Sequence, residues 1–281
     1  MRTLRRASAP IAVAATTVLL LAGCGSDDKD DQDDKAGQGN GGGGTSGGPQ
    51  GPGSPGSAKP PSSITVLAAA SLTGAFNEAK EAYTKKNKDQ DVRFSFAGSQ
   101  ELAAQVKQGA PADVVATADT KTMDGLAGEV NSPTLFAKNK LTIVVAPGNP
   151  KNIKTLADLA RTDLTVVLAG PTVPVGRYAR ESLGKAGVTV KPKSEETDVK
   201  AVLTRVRMGE ADAGIVYTTD VKSAGDAVAS VDIPDESNVV AAYPVAVIKD
   251  SRQQGPAAAF TQWLLTPEAQ EILKKYGFAA P

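Results

Sequence analysis

From residue 64 onward the chain alternates short runs of β-branched and apolar residues with stretches of helical periodicity, an α/β pattern that predicts parallel strands joined by helices. Residues 64–69 read as a buried strand. Ser71 then opens a helix to about Lys86, with Leu72, Ala75, Phe76, Ala79 and Tyr83 recurring at helical spacing. The unit repeats: 92–97 is a strand, and Ser99 opens a helix to about Gln108 that Gly109 and Pro111 end. Further strands are expected at 113–116, 141–146, 164–168, 213–217 and 239–248, and helices at 153–160, 177–185, 198–209, 256–265 and 267–276. There is no internal repeat.

Open α/β sheets bind ligands at the carboxyl ends of their strands, where helix N-termini point. Ser71 and Ser99 both follow a strand and precede a helix, so each reads as an N-cap beside backbone N–H groups without helical partners. Two such termini converging on one point make an anion site without any Lys or Arg. Ala68, Ala69, Ala70, Ala97 and Gly98 keep bulk away from both hydroxyls.

Three other segments qualify. Residues 171–176 link a strand to the helix expected near Arg177 and present the amides of Val175 and Gly176. They are not a phosphate loop, because five residues separate Gly170 from Gly176 and two prolines remove donors. Asp198 and Val199 open another helix, and Tyr217 ends the strand 213–217. Each feature also has a plainer reading, as a helix cap, a connection or a core ring with a wet hydroxyl.

Composition narrows the chemistry. The chain has no His and one Cys, which excludes Ser-His-Asp and Cys-His pairs, His-ligated metals and an intrachain disulfide. Residues 64–281 hold 25 Lys+Arg and 25 Asp+Glu. A neutral body of this size buries a sizeable core and lacks the basic footprint of a nucleic-acid binder.

The first 63 residues differ. Arg2, Arg5 and Arg6 precede an apolar run, 11–22, too short for a bilayer span, so 1–23 reads as a signal peptide. The Arg5-Arg6 pair leaves twin-arginine export open beside the general route. Leu21-Ala22-Gly23-Cys24 resembles a bacterial lipobox, with Cys24 lipidated as the first mature residue; an unmodified Cys24 is the alternative. Residues 25–63 contain 12 Gly, 5 Pro and 6 Ser and bury nothing, so 24–63 reads as a lipidated, disordered tether spanning roughly 30 to 40 Å. The Asp cluster between 27 and 34 is a solvating charge run without EF-hand spacing.

The order of Ala68-Ala69-Ala70-Ser71-Leu72, Phe96-Ala97-Gly98-Ser99, the segment 105–119 (QVKQGAPADVVATAD), Pro174-Val175-Gly176 with Tyr178-Ala179, Asp198-Val199-Lys200 and Gly214-Ile215-Val216-Tyr217 resembles the molybdate-binding proteins of bacterial ABC importers. The likeness covers essentially all of 64–281. It implies a two-lobed periplasmic-binding-protein fold of type II-like form, with mixed, mostly parallel sheets, flanking helices and a hinge of two crossover strands. The long apolar runs 141–146 and 239–248 are the crossover candidates, giving one lobe of 64–146 plus 243–281 and a second of 147–242. The resemblance further implies that Ser71 and Ser99 offer hydroxyl and backbone N–H from one lobe, that Val175 and Val199 donate backbone N–H from the other, and that the Tyr217 hydroxyl completes the shell. Val175 stands where the family has alanine, and Gly98 where a polar residue is frequent.

The resemblance implies a monomeric, extracytoplasmic, lipid-anchored protein without cofactor or enzymatic activity. It would take molybdate or tungstate as an oxyanion and pass it to an ABC permease with its ATPase. About seven neutral donors would replace counter-charges, each contributing on the order of 1.5 to 3 kcal/mol. Sulfate or another tetrahedral oxyanion is the alternative ligand. A hydrolase using Ser71 or Ser99 is a more distant one, since no Ser-x-x-Lys or Gly-x-Ser-x-Gly elbow surrounds either serine. A surface adhesion module leaves the paired serines unexplained.

Overall fold

A computed structural model describes residues 62–281; the segments expected to be a signal peptide and a tether, with Cys24, lie outside the described residues except for Ser62 and Ser63. The first strand starts at Ser62, two residues before the expected 64, with Ser62 and Ser63 paired with Gln90 and Asp91.

The elements, in chain order, are β1 (Ser62–Ala69), α1 (Thr73–Lys86), β2 (Gln90–Ala97), α2 (Ser99–Lys107), β3 (Val114–Ala116), α3 (Thr120–Asp124) and β4 (Thr134–Val145). These are followed by β5 (Val166–Ala169), α4 (Pro174–Lys185), β6 (Ser194–Glu196), α5 (Val199–Arg207), β7 (Ala213–Tyr217) and α6 (Thr218–Ala224). The chain closes with β8 (Ala229–Asp232), β9 (Val240–Val247), α7 (Gln254–Trp263) and α8 (Pro267–Lys275).

The strands run in the order β2-β1-β3-β9-β4-β7-β5-β6, with β8 also on β4. β4 belongs to two sheets: Thr134 to Lys140 pair with β9, whereas Leu141 to Val145 pair with β7 and β8. Four of the eight ladders are parallel and four antiparallel, and every antiparallel one involves β4 or β9. The sheets are therefore mixed in equal measure. The parallel pairs flank β4 and β9, which run the other way, and β4 carries the chain from one sheet to the other.

Register explains how the strand ends converge. β1 and β2 end together, Ala69 opposite Ala97, so the turns that follow them start side by side. β5 and β6 repeat the arrangement, Ala169 opposite Glu196. Each half thus presents two helix starts at one sheet edge.

Several local expectations are corrected. Ser71 and Ser99 are not N-caps. Ser71 sits inside a short 3-10 turn, Ala70–Leu72, behind Ala69. Ser99 is the first residue of α2 behind Gly98, whose carbonyl accepts the Glu101 and Leu102 N–H groups. Gly98 holds that place because a side chain there would meet the Thr197 carbonyl oxygen at 2.7 Å. α4 begins at Pro174 rather than Arg177, proline being well suited to a first turn that needs no donor. The helix expected at 153–160 is only a 3-10 turn, Leu156–Ala160. β4 starts seven residues before the expected 141, because polar Lys138, Asn139 and Lys140 break the apolar run without breaking the ladder to β9. α3, β6, α6 and β8 were too short to carry a periodic signal.

A ring cluster packs α1 and α7 against β2: Phe76 lies 5.4 Å from Phe94, and Tyr83 lies 5.3 Å from Phe260 and 5.2 Å from Trp263, centroid to centroid. Leu67, Leu102, Val106, Val115 and Met123 fill the opposite face beneath α2 and α3. Burying an apolar side chain of this size contributes about 1.5 to 3 kcal/mol, so the face that carries Ser99 rests on a firm base.

Candidate functional site

Between the two groups of strand ends lies a small cavity lined by Ala69, Ala70, Ser71, Ala97, Gly98, Ser99, Ala118, Val173, Pro174, Val175, Asp198, Val199 and Tyr217. All five residues singled out from the sequence meet there. Its small size suits one small ion rather than a drug-sized organic ligand.

Each donor is left free for a local reason. In α4 the first helical bond runs from Arg177 N–H to the Val173 carbonyl at 3.0 Å, and Pro174 has no N–H. The amides of Val175 and Gly176 are therefore outside the helical ladder. Gly176 is required for this approach, since a Cβ there would lie well inside contact distance of the Gly170 and Ala169 carbonyl oxygens. In α5 the Asp198 carboxylate caps the helix, accepting Lys200 N–H at 2.6 Å and Ala201 N–H at 3.0 Å. That leaves the Val199 N–H as the first-turn donor the cap does not take.

The serines are oriented from behind. Ser99 Oγ accepts the Ala118 N–H at 3.0 Å, and Ser71 Oγ lies 2.9 Å from Tyr243 Oη. Tyr217 is buried, and its hydroxyl has no hydrogen-bond partner. Its backbone is fixed by an N–H bond to Asp220 Oδ2 at 3.1 Å, with Lys200 Nζ 3.0 Å from the other Asp220 oxygen. Burial pushes the Tyr217 hydroxyl well above its ordinary pKa, with neighbouring Tyr243, Tyr178 and Asp119 adding to the shift. The phenol therefore stays protonated, a donor at neutral pH.

No Lys or Arg lines the cavity. Arg177, one turn into α4, instead pairs with Asp119 at the rim. Among the described residues no cluster of His, Cys, Asp and Glu is placed to hold a metal ion. The arrangement offers neutral donors to an anion, the chemistry of helix N-termini.

Sequence reasoning missed Tyr243, Asn139 and Ala118, which stand behind the serines. A Tyr within the apolar run 239–248 was the available signal for the first. Asn139 fell in a stretch not read as strand, and Ala118 acts only through its backbone.

A mixed α/β scaffold with two crossing strands and a donor-lined cavity at facing strand ends defines a solute-binding protein. Residues 64–279 match the model of the family described as bacterial extracellular solute-binding protein. The chain belongs to that family. It is 43% identical over 222 residues to the molybdate-binding protein ModA of Mycobacterium tuberculosis strain H37Rv, covering 78% of this chain and 85% of that one. It is 37% identical over 229 residues to ModA of Escherichia coli K12, covering 76% and 88%. The solved periplasmic molybdate-binding protein of Azotobacter vinelandii superposes with a TM-score of 0.69 at 21% identity, over 78% of this chain and 99% of that one, a likeness of fold.

Proposed function

We propose that this protein captures molybdate, and tungstate with it, outside the cytoplasm and delivers the oxyanion to an ABC importer. The observation that carries the reading is the convergence of Ser71, Ser99, Val175, Val199 and Tyr217 on a small cavity that no cationic side chain lines. A tetrahedral dianion can be held there by hydroxyl and amide donors alone, each stronger for bonding to a charged acceptor. The identity to ModA proteins supports molybdate over other ions.

In this reading residues 64–146 with 243–281 form one lobe and 147–242 the other, with 141–145 of β4 lending a strand to the second lobe's sheet. Both crossing strands, β4 and β9, serve as the hinge. Closure of the lobes over the anion presents the form that the permease accepts. Cys24 carries the lipid, the tether keeps the monomeric body at the membrane face, and no reaction is catalysed. Neither serine faces a base: Ser99 Oγ is held by an amide and Ser71 Oγ by a phenol.

Calorimetric titration with molybdate, tungstate and sulfate tests the proposal. Molybdate and tungstate should bind at least a hundredfold tighter than sulfate, about 2.7 kcal/mol. Tighter binding of sulfate assigns the site to that anion instead.

A further inference from the structure

Behind the cavity runs a buried polar chain that the anion donors do not account for. Asn139 lies on β4 next to the point where that strand changes sheets, and it is buried. Its Oδ1 accepts the Lys140 N–H at 3.0 Å and the Thr218 hydroxyl at 3.0 Å. A backbone N–H can only donate, so this contact fixes which end of the amide is oxygen. The other end, Nδ2, therefore points at Thr219 Oγ1, 2.8 Å away, and at Tyr243 Oη, 3.4 Å away.

The direction then propagates. An amide nitrogen can only donate, so Tyr243 Oη accepts from Asn139 and its own proton is left to donate. Tyr243 Oη has Ser71 Oγ 2.9 Å away on its far side. Ser71 Oγ is placed to receive that proton, and in that arrangement its own hydrogen points elsewhere. Ser71 lines the cavity, so elsewhere is the ligand. Ser99 reaches the same condition by a shorter route, because the Ala118 N–H occupies its acceptor side.

We infer that Tyr243 and Asn139 are positioning residues that set the Ser71 hydroxyl as a donor into the cavity, through the relay Asn139 N–H to Tyr243 O–H to Ser71 O–H. Hydrogen-bonded chains of one polarity strengthen each member, so the relay raises the donor strength of Ser71 as well as fixing its rotor. It also ties the anion shell to the strand on which the halves of the molecule meet. This inference rests on the oxyanion reading above.

A double-mutant cycle tests it. Tyr243→Phe, Ser71→Ala and the double variant are titrated with whichever of molybdate, tungstate and sulfate binds the wild type most tightly, and each ligand-free melting curve is recorded. Tyr243→Phe should weaken binding about tenfold, and Ser71→Ala at least as much. The double variant should bind as Ser71→Ala alone does, because Tyr243 acts only through that hydroxyl. Asn139→Ala provides a second entry to the relay, with a smaller loss that likewise vanishes in the Ser71→Ala background. Losses that multiply in the double variants, or an unchanged affinity in Tyr243→Phe, overturn the relay while leaving the anion site intact. Failure of the wild type to bind any of the three anions overturns both.

Discussion

The carboxylate of Asp119, just after β3, is clasped by the guanidinium of Arg177, in the first turns of α4, with Nε 3.1 Å from Oδ2 and Arg177 Nη2 bonded to Thr122 Oγ1 at 2.9 Å as well. The partners come from opposite sides of the cavity, so this pair spans the cleft. Gln100 Nε2 makes a second bridge to the Thr197 carbonyl at 2.8 Å. Asp119 is nearly sealed from water, its side chain 3% exposed, and the loss of its cation would strand a buried charge until the cleft opens. Arg177→Ala should therefore weaken anion binding roughly five- to thirtyfold, about 1 to 2 kcal/mol, mainly through faster release. Stopped-flow release rates and calorimetry measure this. The ligand-free melting temperature should fall as well, because the pair already neutralises the buried carboxylate there, and an unchanged release rate would make the pair a general stabiliser only.

Tyr217 offers a cleaner separation of stability from binding. Its hydroxyl lines the cavity and is not needed to hold another part of the chain. Tyr217→Phe removes a ligand donor without breaking such a contact. Melting of the ligand-free protein should hold or rise, while affinity for molybdate falls about five- to 150-fold. Thermal melts with and without saturating molybdate read both at once, and a fall in ligand-free stability would show that the hydroxyl is already satisfied without ligand.

Much of this site was legible because the relevant signals are local. A strand followed at once by Ala-Ser or Gly-Ser and then a helix marks the donor ends of Ser71 and Ser99 whatever the rest of the fold does. The same holds for Pro174-Val175-Gly176 and for Asp198-Val199, whose cap is visible in the residue types. Cap assignment was less legible. Ser is the better N-cap in isolation, but the approach of Thr197 across the cleft leaves room only for Gly98 in that position. The relay through Asn139 and Tyr243 joins residues 104 and 172 positions apart from their partners, a separation that no window along the chain can register. β4 was half hidden because its polar stretch is stabilised by β9, about a hundred residues later in the sequence.

Gly176→Ala and Gly184→Ala, both within α4, should have opposite effects. A methyl at 176 would press on the carbonyls of Gly170 and Ala169, backbone atoms that cannot move without lifting α4 off the end of β5. Melting temperature should fall and anion binding be lost, since the amides of Val175 and Gly176 move with the helix start. A methyl at 184 meets nothing within 4 Å and replaces glycine in the last turn of the helix. It should stabilise by about 0.5 to 1 kcal/mol with unchanged affinity. Equal effects of the two substitutions would show that the contact at 176 is relieved by adjustment elsewhere.

The pH dependence of stability should be set on the alkaline side by phenols. The chain has no His, so no imidazole step arises near neutrality. Tyr217, Tyr243 and Tyr178 are all raised above the usual phenol value of 10.0, in each case chiefly by burial, with nearby tyrosines or the carboxylates of Asp119 and Asp220 adding to it. A group whose folded pKa lies above its unfolded value contributes stability that is complete below the unfolded value and is lost as pH rises through the folded one. The three phenols thus support the fold fully up to about pH 10, and above it the unfolded state gains by ionising first. In the folded protein burial keeps the Tyr217 proton, and with it the donor to the anion, to a higher pH than in the unfolded chain. Melting temperature should therefore decline above about pH 10 while the molybdate affinity of the folded protein holds. Calorimetry and thermal melts across about pH 7 to 11 test this, and a loss of affinity centred below about pH 9 would place control in a group other than these phenols.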